Sequence, residues 1–91
     1  MKFTNDNNGK LTLHDGDKLI GSIEYVVEND VITIQHTFVE DGNEGKGYGK
    51  ELVEEMANEA RKKNMRIASQ CTFASGVMEK SPMDFEDVLA K

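Results

Sequence analysis

Apolar residues recur along this chain with two different periods, and the period changes near residue 47. Leu11 and Leu13 alternate with Thr12 and His14, and the next run sets Leu19, Gly21, Ile23, Tyr25 and Val27 against its other face. Turn signals stand before both runs, Asn8-Gly9 and Asp15-Gly16-Asp17. After a break at Glu28 to Asp30, the stretch Val31 to Val39 alternates again. Ile32, Ile34, His36 and Phe38 share one face, and Val31, Thr33, Gln35, Thr37 and Val39 the other. A period of two with connections this short predicts an antiparallel meander of about four strands over the first 39 residues.

Beyond Gly47 the spacing becomes helical: Tyr48, Leu52, Val53, Met56, Ala57 and Ala60 form one apolar stripe, which predicts a helix over 47–63. The charges suit its dipole, with Glu51, Glu54 and Glu55 early, Arg61, Lys62 and Lys63 late, and Asn64 placed as a left-handed cap. Arg66 to Gln70 reads as a fifth, short strand. Thr72 to Lys91 reads as helical or irregular. Within it Ser81-Pro82-Met83-Asp84 supplies a cap, a first-turn proline and an acid, predicting a last helix over 82–89. The expected class is α+β: a meander, a central helix after a glycine-rich loop, a fifth strand and short C-terminal helices. No repeat, low-complexity tract or linker interrupts it.

Composition narrows the possibilities. With 91 residues and 10.2 kDa, the chain has material for one core, so one domain over 1–91 is expected. Such a core buries roughly 60 to 65% of the surface of the unfolded chain, so a ligand should lie in a surface groove rather than an enclosed cavity. An apolar fraction of 37% beside 31% charged residues describes a globular chain, and a polar start without long apolar runs leads us to expect the cytoplasm and no membrane. The single Cys71 excludes an internal disulfide and a multi-cysteine zinc site, and His14 and His36 do not supply a metal set in its place. A net charge of -6 argues against nucleic acid and suits a cationic or amine partner.

The chemistry concentrates in Glu44-Gly45-Lys46-Gly47-Tyr48-Gly49, which joins a strand to a helix N-terminus. Backbone N–H groups there lack intrahelical partners, and the dipole end is positive. Glycines let those amides approach a pyrophosphate closely, while Lys46 and Lys50 add charge. The competing reading is a glycine turn that only reverses the chain. A P-loop is excluded because Gly49-Lys50 is followed by Glu51 rather than Ser or Thr. A Rossmann fingerprint is excluded by the missing third glycine and by the lack of a parallel unit before it.

The same segment resembles the pyrophosphate loop of the GNAT superfamily, which runs Arg or Gln, two residues, Gly, one residue, then Gly or Ala; Gly47 and Gly49 match its glycines. The wider course resembles a short GNAT-related N-acetyltransferase-domain family: His36-Thr37-Phe38-Val39, the loop, a helix, a strand ending at Cys71-Thr72-Phe73, and Pro82. The resemblance spans about residues 10–89. It implies a curved sheet with splayed central strands, the pantetheine arm of acetyl-coenzyme A or coenzyme A entering beside Phe38 and Val39, and the pyrophosphate on Gly45, Lys46, Gly47, Tyr48, Gly49 and Lys50. The chain departs from the pattern at Glu44, where Arg or Gln is usual, at Ser81, where a histidine commonly precedes the proline, and at Gly76, where an aromatic is common.

Acetyl transfer to an amine needs a base for the attacking nitrogen and a proton or hydrogen bond for the departing thiolate. His36, which titrates near neutral pH, is the candidate base; the alternative is a packed histidine among Ile32, Ile34 and Phe38. Cys71, expected to face His36 across the splay, is a candidate thiolate nucleophile or acid, and the alternative is an inert buried thiol. Tyr48 reads as packing that flanks the ligand, and Glu51, Glu54, Glu55 and Glu59 as a solvated face. Arg61, Lys62, Lys63 and Arg66 read as surface charge, one of which could reach a 3′-phosphate. The functional expectation is an N-acetyltransferase that uses acetyl-coenzyme A and acetylates an amine-bearing small molecule or peptide by direct attack, with His36 as the base. The alternatives are a non-catalytic coenzyme A or acyl-coenzyme A module acting on a protein partner, and an interaction domain without a nucleotide ligand.

Overall fold

The structure is a computed structural model that describes residues 1–90. Strands β1 (Lys2–Asn5), β2 (Lys10–Asp15), β3 (Lys18–Glu28) and β4 (Val31–Val39) form the meander. They are followed by helix α1 (Tyr48–Lys62), strand β5 (Arg66–Ser69), and helices α2 (Thr72–Lys80) and α3 (Pro82–Phe85). The sheet order is β1-β2-β3-β4-β5. Its first three pairings are antiparallel, and α1 carries the chain over to make the β4–β5 pairing parallel.

Two bulges break the simple alternation of faces. On β3 the extra residue is Ile20, because Leu13 pairs with Gly21 while His14 pairs with Leu19. Ile20 therefore enters the core, and Leu19, expected to share a face with Gly21, is only half-buried. On β4 the extra residue is Gln35: Tyr25 pairs with Ile34, and Glu24 with His36. That insertion reverses every later side chain of β4. Thr37 and Val39 now lie opposite Ile23 and Gly21 on the core side, while His36 and Phe38 lie opposite Glu24 and Ser22 on the other face. The expectation that His36 and Phe38 share a face with Ile32 and Ile34 is thus corrected. Phe38 is 52% exposed, which a strictly alternating strand would not allow.

The core is one cluster. Leu52, Val53, Met56, Ala57 and Ala60 of α1 meet Leu11, Leu13, Ile23, Tyr25, Ile32, Ile34 and Ile67 of the sheet, and Ala74, Met78, Phe85 and Val88 close the far side. The expected stripe of α1 is buried from Leu52 to Ala60, while Tyr48 at its start is only partly buried. At its end Asn64 adopts φ +56°, and the Met65 amide reaches the Ala60 carbonyl at 2.8 Å, satisfying an orphan carbonyl in the manner of a left-handed cap.

The last helix is shorter than the expected 82–89. Pro82 occupies the first turn and Ser81 the cap position, but the Ser81 side chain makes no capping bond. The helix ends at Phe85. Arg61 donates to its Asp84 carbonyl, and beyond the helix Arg66 donates to the Asp87 carbonyl at 2.7 Å. The chain then runs alongside β5, where the Ile67 amide donates to Val88 O at 2.7 Å and the Ala90 amide donates to Ile67 O at 2.9 Å. Leu89 forms a parallel bridge with Ile67. Arg61 and Arg66, read from sequence as surface charge, are therefore the fasteners of this tail. Among the described residues no helix is long and apolar enough to cross a membrane.

Candidate functional site

The parallel pairing of β4 with β5 covers only Val31 to Ile34, against Arg66 to Ser69, and the Gln70 amide adds one more bond to Ile34 O at 2.8 Å. β4 nevertheless continues to Val39. Its last five residues have no β5 partner, so the two strands part just where Gln35 bulges.

A groove of about 440 Å³ lies at the end of this gap. Val39 lines it from β4, Asn43 to Gly45 and Gly47 to Lys50 from the loop and the start of α1, and Phe73, Val77, Lys80 and Ser81 from α2 and its end. The expected surface groove is present, and a volume of a few hundred cubic ångströms is that of an ordinary small-molecule site.

The loop owes its shape to backbone requirements. Gly45 and Gly47 have φ of +76° and +83°, a region that L residues with side chains avoid, and neither has another atom within 4 Å of the place a Cβ would occupy. Gly49 has a different reason to be glycine: a Cβ there would stand 2.7 Å from Cζ of Phe73, so the ring sits directly on the first turn of α1. No side chain caps α1, and the Glu51 amide is the one that returns to Gly47 O, at 3.1 Å. The amides of Tyr48, Gly49 and Lys50 lie before it and have no acceptor within the helix. Glu44 turns back, its Oε2 accepting from the Gly42 amide at 2.8 Å. Asn43, only 5% exposed, donates through its side chain to Glu40 O and braces the loop from below.

Cys71 sits one residue before α2, as its N-cap. Its backbone is clamped by two serines: the Cys71 amide donates to Ser69 Oγ at 3.1 Å, Ser69 Oγ donates to the Cys71 carbonyl at 2.8 Å, and Ser75 Oγ donates to Ser69 Oγ at 3.0 Å. Its sulfur lies 3.6 Å from Thr37 Oγ1. Partial burial pushes the thiol up, but the amides of Ala74 and Phe73 and the hydroxyl and amide of Thr37 outweigh it, holding the thiol below its ordinary value. Charge on that sulfur is met by oriented N–H and O–H groups.

The sequence candidates are thus only partly gathered. Gly45, Gly47, Tyr48, Gly49, Lys50 and Val39 line the groove, whereas Lys46 and Phe38 do not. His36 and Cys71 do not line it either. The thiol's partner is Thr37, not the expected His36, because the Gln35 bulge turns His36 to the opposite face. Asn43, Val77, Lys80 and Thr37 were not singled out from the sequence. The α2 residues carried a readable signal, since Phe73, Val77 and Lys80 fall at i, i+4 and i+7. Asn43 and Thr37 carried none, because their places depend on tertiary contacts. Among the described residues no cluster of His, Cys, Asp and Glu could hold a metal.

The sequence model of the GCN5-related N-acetyl-transferase family matches residues 10–88. No curated protein sequence matches the chain. Among solved structures, the NMR solution structure of a GCN5-like protein from Staphylococcus aureus is 31% identical, with a TM-score of 0.75 over 98% of this chain and 87% of that one. The ribosomal-protein-S18-alanine N-acetyltransferase of Escherichia coli has a TM-score of 0.69 at 17% identity, over 85% of this chain and 53% of its own. A ribosomal-protein-alanine N-acetyltransferase of Brucella melitensis biovar Abortus 2308 has a TM-score of 0.57 at 18% identity, over 94% and 64%. At such identities the last two speak for the fold alone. The chain spans about half to two thirds of their length.

Proposed function

Because the chain belongs to the GCN5-related N-acetyl-transferase family, we propose that its groove binds acetyl-coenzyme A and that the acetyl group passes to an amine acceptor. The observation that carries this reading is the parting of β4 and β5 beside the glycine loop. An unpaired strand edge offers amides and carbonyls to the pantetheine arm, and the free amides at the start of α1 offer donors to the pyrophosphate. Lys50 and Lys80 stand on two sides of the same groove and add positive charge. The residues present fit the ligand, with one exception: Glu44 brings a carboxylate to the mouth of an anion site.

In the proposed reaction Cys71 is the acyl acceptor within the protein. A thiol whose surroundings favour the anion is better suited to attack a thioester than to protonate a departing thiolate. The Cys71 sulfur attacks the thioester carbonyl, and the coenzyme leaves as its thiolate, which takes a proton from solvent. An amine then attacks the acetyl-Cys71 thioester from the uncovered face of the sheet. His36, exposed on that face, takes the amine's proton, and the thiolate of Cys71 is released.

The second reading is a module that binds coenzyme A or an acyl-coenzyme A without turnover, and the Glu44 carboxylate favours it. The two are separated by calorimetric titration with acetyl-coenzyme A and coenzyme A together with intact-mass measurement. Saturable binding with an acetyl adduct on Cys71, and loss of amine acetylation in His36→Ala, support the enzyme. Binding with neither supports the module, and no binding of either ligand defeats both.

A further inference from the structure

Thr37 is the residue that the Gln35 bulge brings into the strand gap in place of His36. Its hydroxyl is 3.6 Å from the Cys71 sulfur, and the pairing with β3 fixes its backbone opposite Ile23, a fully buried core residue. The sulfur thus has a hydroxyl on the β4 side and the Phe73 and Ala74 amides on the α2 side, while Ser69 and Ser75 immobilise the Cys71 backbone. The thiol donates to Thr37 Oγ1 when protonated. When ionised, the same hydroxyl can rotate and donate to the sulfur. The groups facing the sulfur from β4 and α2 are therefore neutral donors, and His36, the titratable neighbour of Thr37, points to the other face.

We infer that Thr37 is a positioning residue for Cys71: its hydroxyl, turned into the gap by the extra residue in β4, aims the sulfur at an incoming thioester and shares the negative charge of the thiolate. The inference rests on the proposed role of Cys71 as acyl acceptor. In the step concerned, a bond forms between the Cys71 sulfur and the acetyl carbon, and the bond from that carbon to the coenzyme sulfur breaks. The electron pair leaves on the coenzyme thiolate, solvent supplies its proton, and Thr37 keeps its own proton throughout.

The test compares the wild-type protein with Thr37→Val, Thr37→Ser and Thr37→Ala. Since Cys71 is the one cysteine, iodoacetamide alkylation as a function of pH reports its thiolate directly. Removing a hydroxyl donor should move the midpoint of that profile up by about half to one unit in Thr37→Val and Thr37→Ala, with Thr37→Ser close to wild type. Formation of the acetyl adduct from acetyl-coenzyme A at neutral pH should slow by about tenfold in the same two variants, with the ligand's dissociation constant unchanged. Thr37→Ala serves if a valine at this site impairs folding. Coincident profiles for wild type and Thr37→Ala, or no rescue by Thr37→Ser, overturn the inference. If the wild-type protein forms no adduct while the profiles still shift, the acyl-acceptor role of Cys71 falls and the hold of Thr37 on the thiol stands.

Discussion

The two ends of α1 are built on opposite principles. At the C-terminal end nearly every polar group has a partner: Arg61 pairs with Asp87 through Nε and Nη2 at 2.8 and 2.9 Å, Lys63 reaches Asn7 Oδ1 at 2.9 Å, and Glu59 accepts from Asn5 Nδ2 at 2.9 Å. Asn5 Oδ1 in turn accepts from the Tyr25 hydroxyl at 2.5 Å. At the N-terminal end no side chain caps the helix, the loop before it relies on glycines at positive φ, and a groove stands open. Same helix, same core, yet one end is consumed by its own protein and the other is left with unused donors. Unspent hydrogen-bonding capacity of that kind marks the end at which a ligand is expected.

The sharpest way to break this contrast is Gly47→Val. A β-branched residue at φ +83° costs about 1 to 2 kcal/mol of strain and projects a side chain into the groove, so the protein should remain folded while its affinity for acetyl-coenzyme A falls by about 100-fold in calorimetry. Next comes Gly49→Val, where the new Cβ collides with the Phe73 ring. Overpacking of this size costs about 1 to 3 kcal/mol, and the effect should appear in the denaturation midpoint as well as in ligand affinity. A change confined to affinity would mean that the ring moves aside freely.

The opposite end should give the reverse pattern. Arg61→Ala loses the Asp87 pair and the bond to the Asp84 carbonyl, and should lower the melting temperature by a few degrees while acetyl-coenzyme A binds as before. A loss of affinity in that variant would show that the two ends are coupled. The smallest effect concerns pH. The bond from Asn5, with Lys62 and Lys63 nearby, holds the Glu59 carboxyl below its ordinary value of 4.5 despite partial burial. A depressed carboxyl contributes stability that is present above 4.5 and lost as the pH falls through its folded value. Asn5→Ala should therefore flatten the fall in melting temperature below pH 4.5, with no effect on binding at neutral pH.

Local chemistry was legible in the sequence, and register was not. The stripe of α1, the left-handed Asn64 and the glycine loop each follow from residues close together in the chain, and each is found in the structure. The Gln35 bulge could not be read, because both alternating sets of β4 mix polar and apolar residues: His36 beside Phe38, Thr37 beside Val39. With neither face decisively apolar, a shift of one residue leaves no trace in the pattern. Ile20 was hidden in the same way by its apolar neighbour Leu19. The early end of α3 was invisible for another reason, since the side chains that hold the segment from Asp84 to Asp87, Arg61 and Arg66, stand some 20 residues earlier in the chain. Whatever in the site depends on long-range pairing, Thr37 above all, had to await the fold.

The run of 86–90 along β5 also bears on solubility. A five-stranded sheet has two outer edges, and an uncovered edge is a template for pairing between chains. Val88, Leu89 and Ala90 occupy the middle of the β5 edge through two backbone hydrogen bonds to Ile67, which together make the parallel bridge to Leu89. Those few residues act as a built-in blocker of strand addition. Loosening them would expose the β5 edge to other chains and favour aggregation, a change that light scattering would register before any loss of helix.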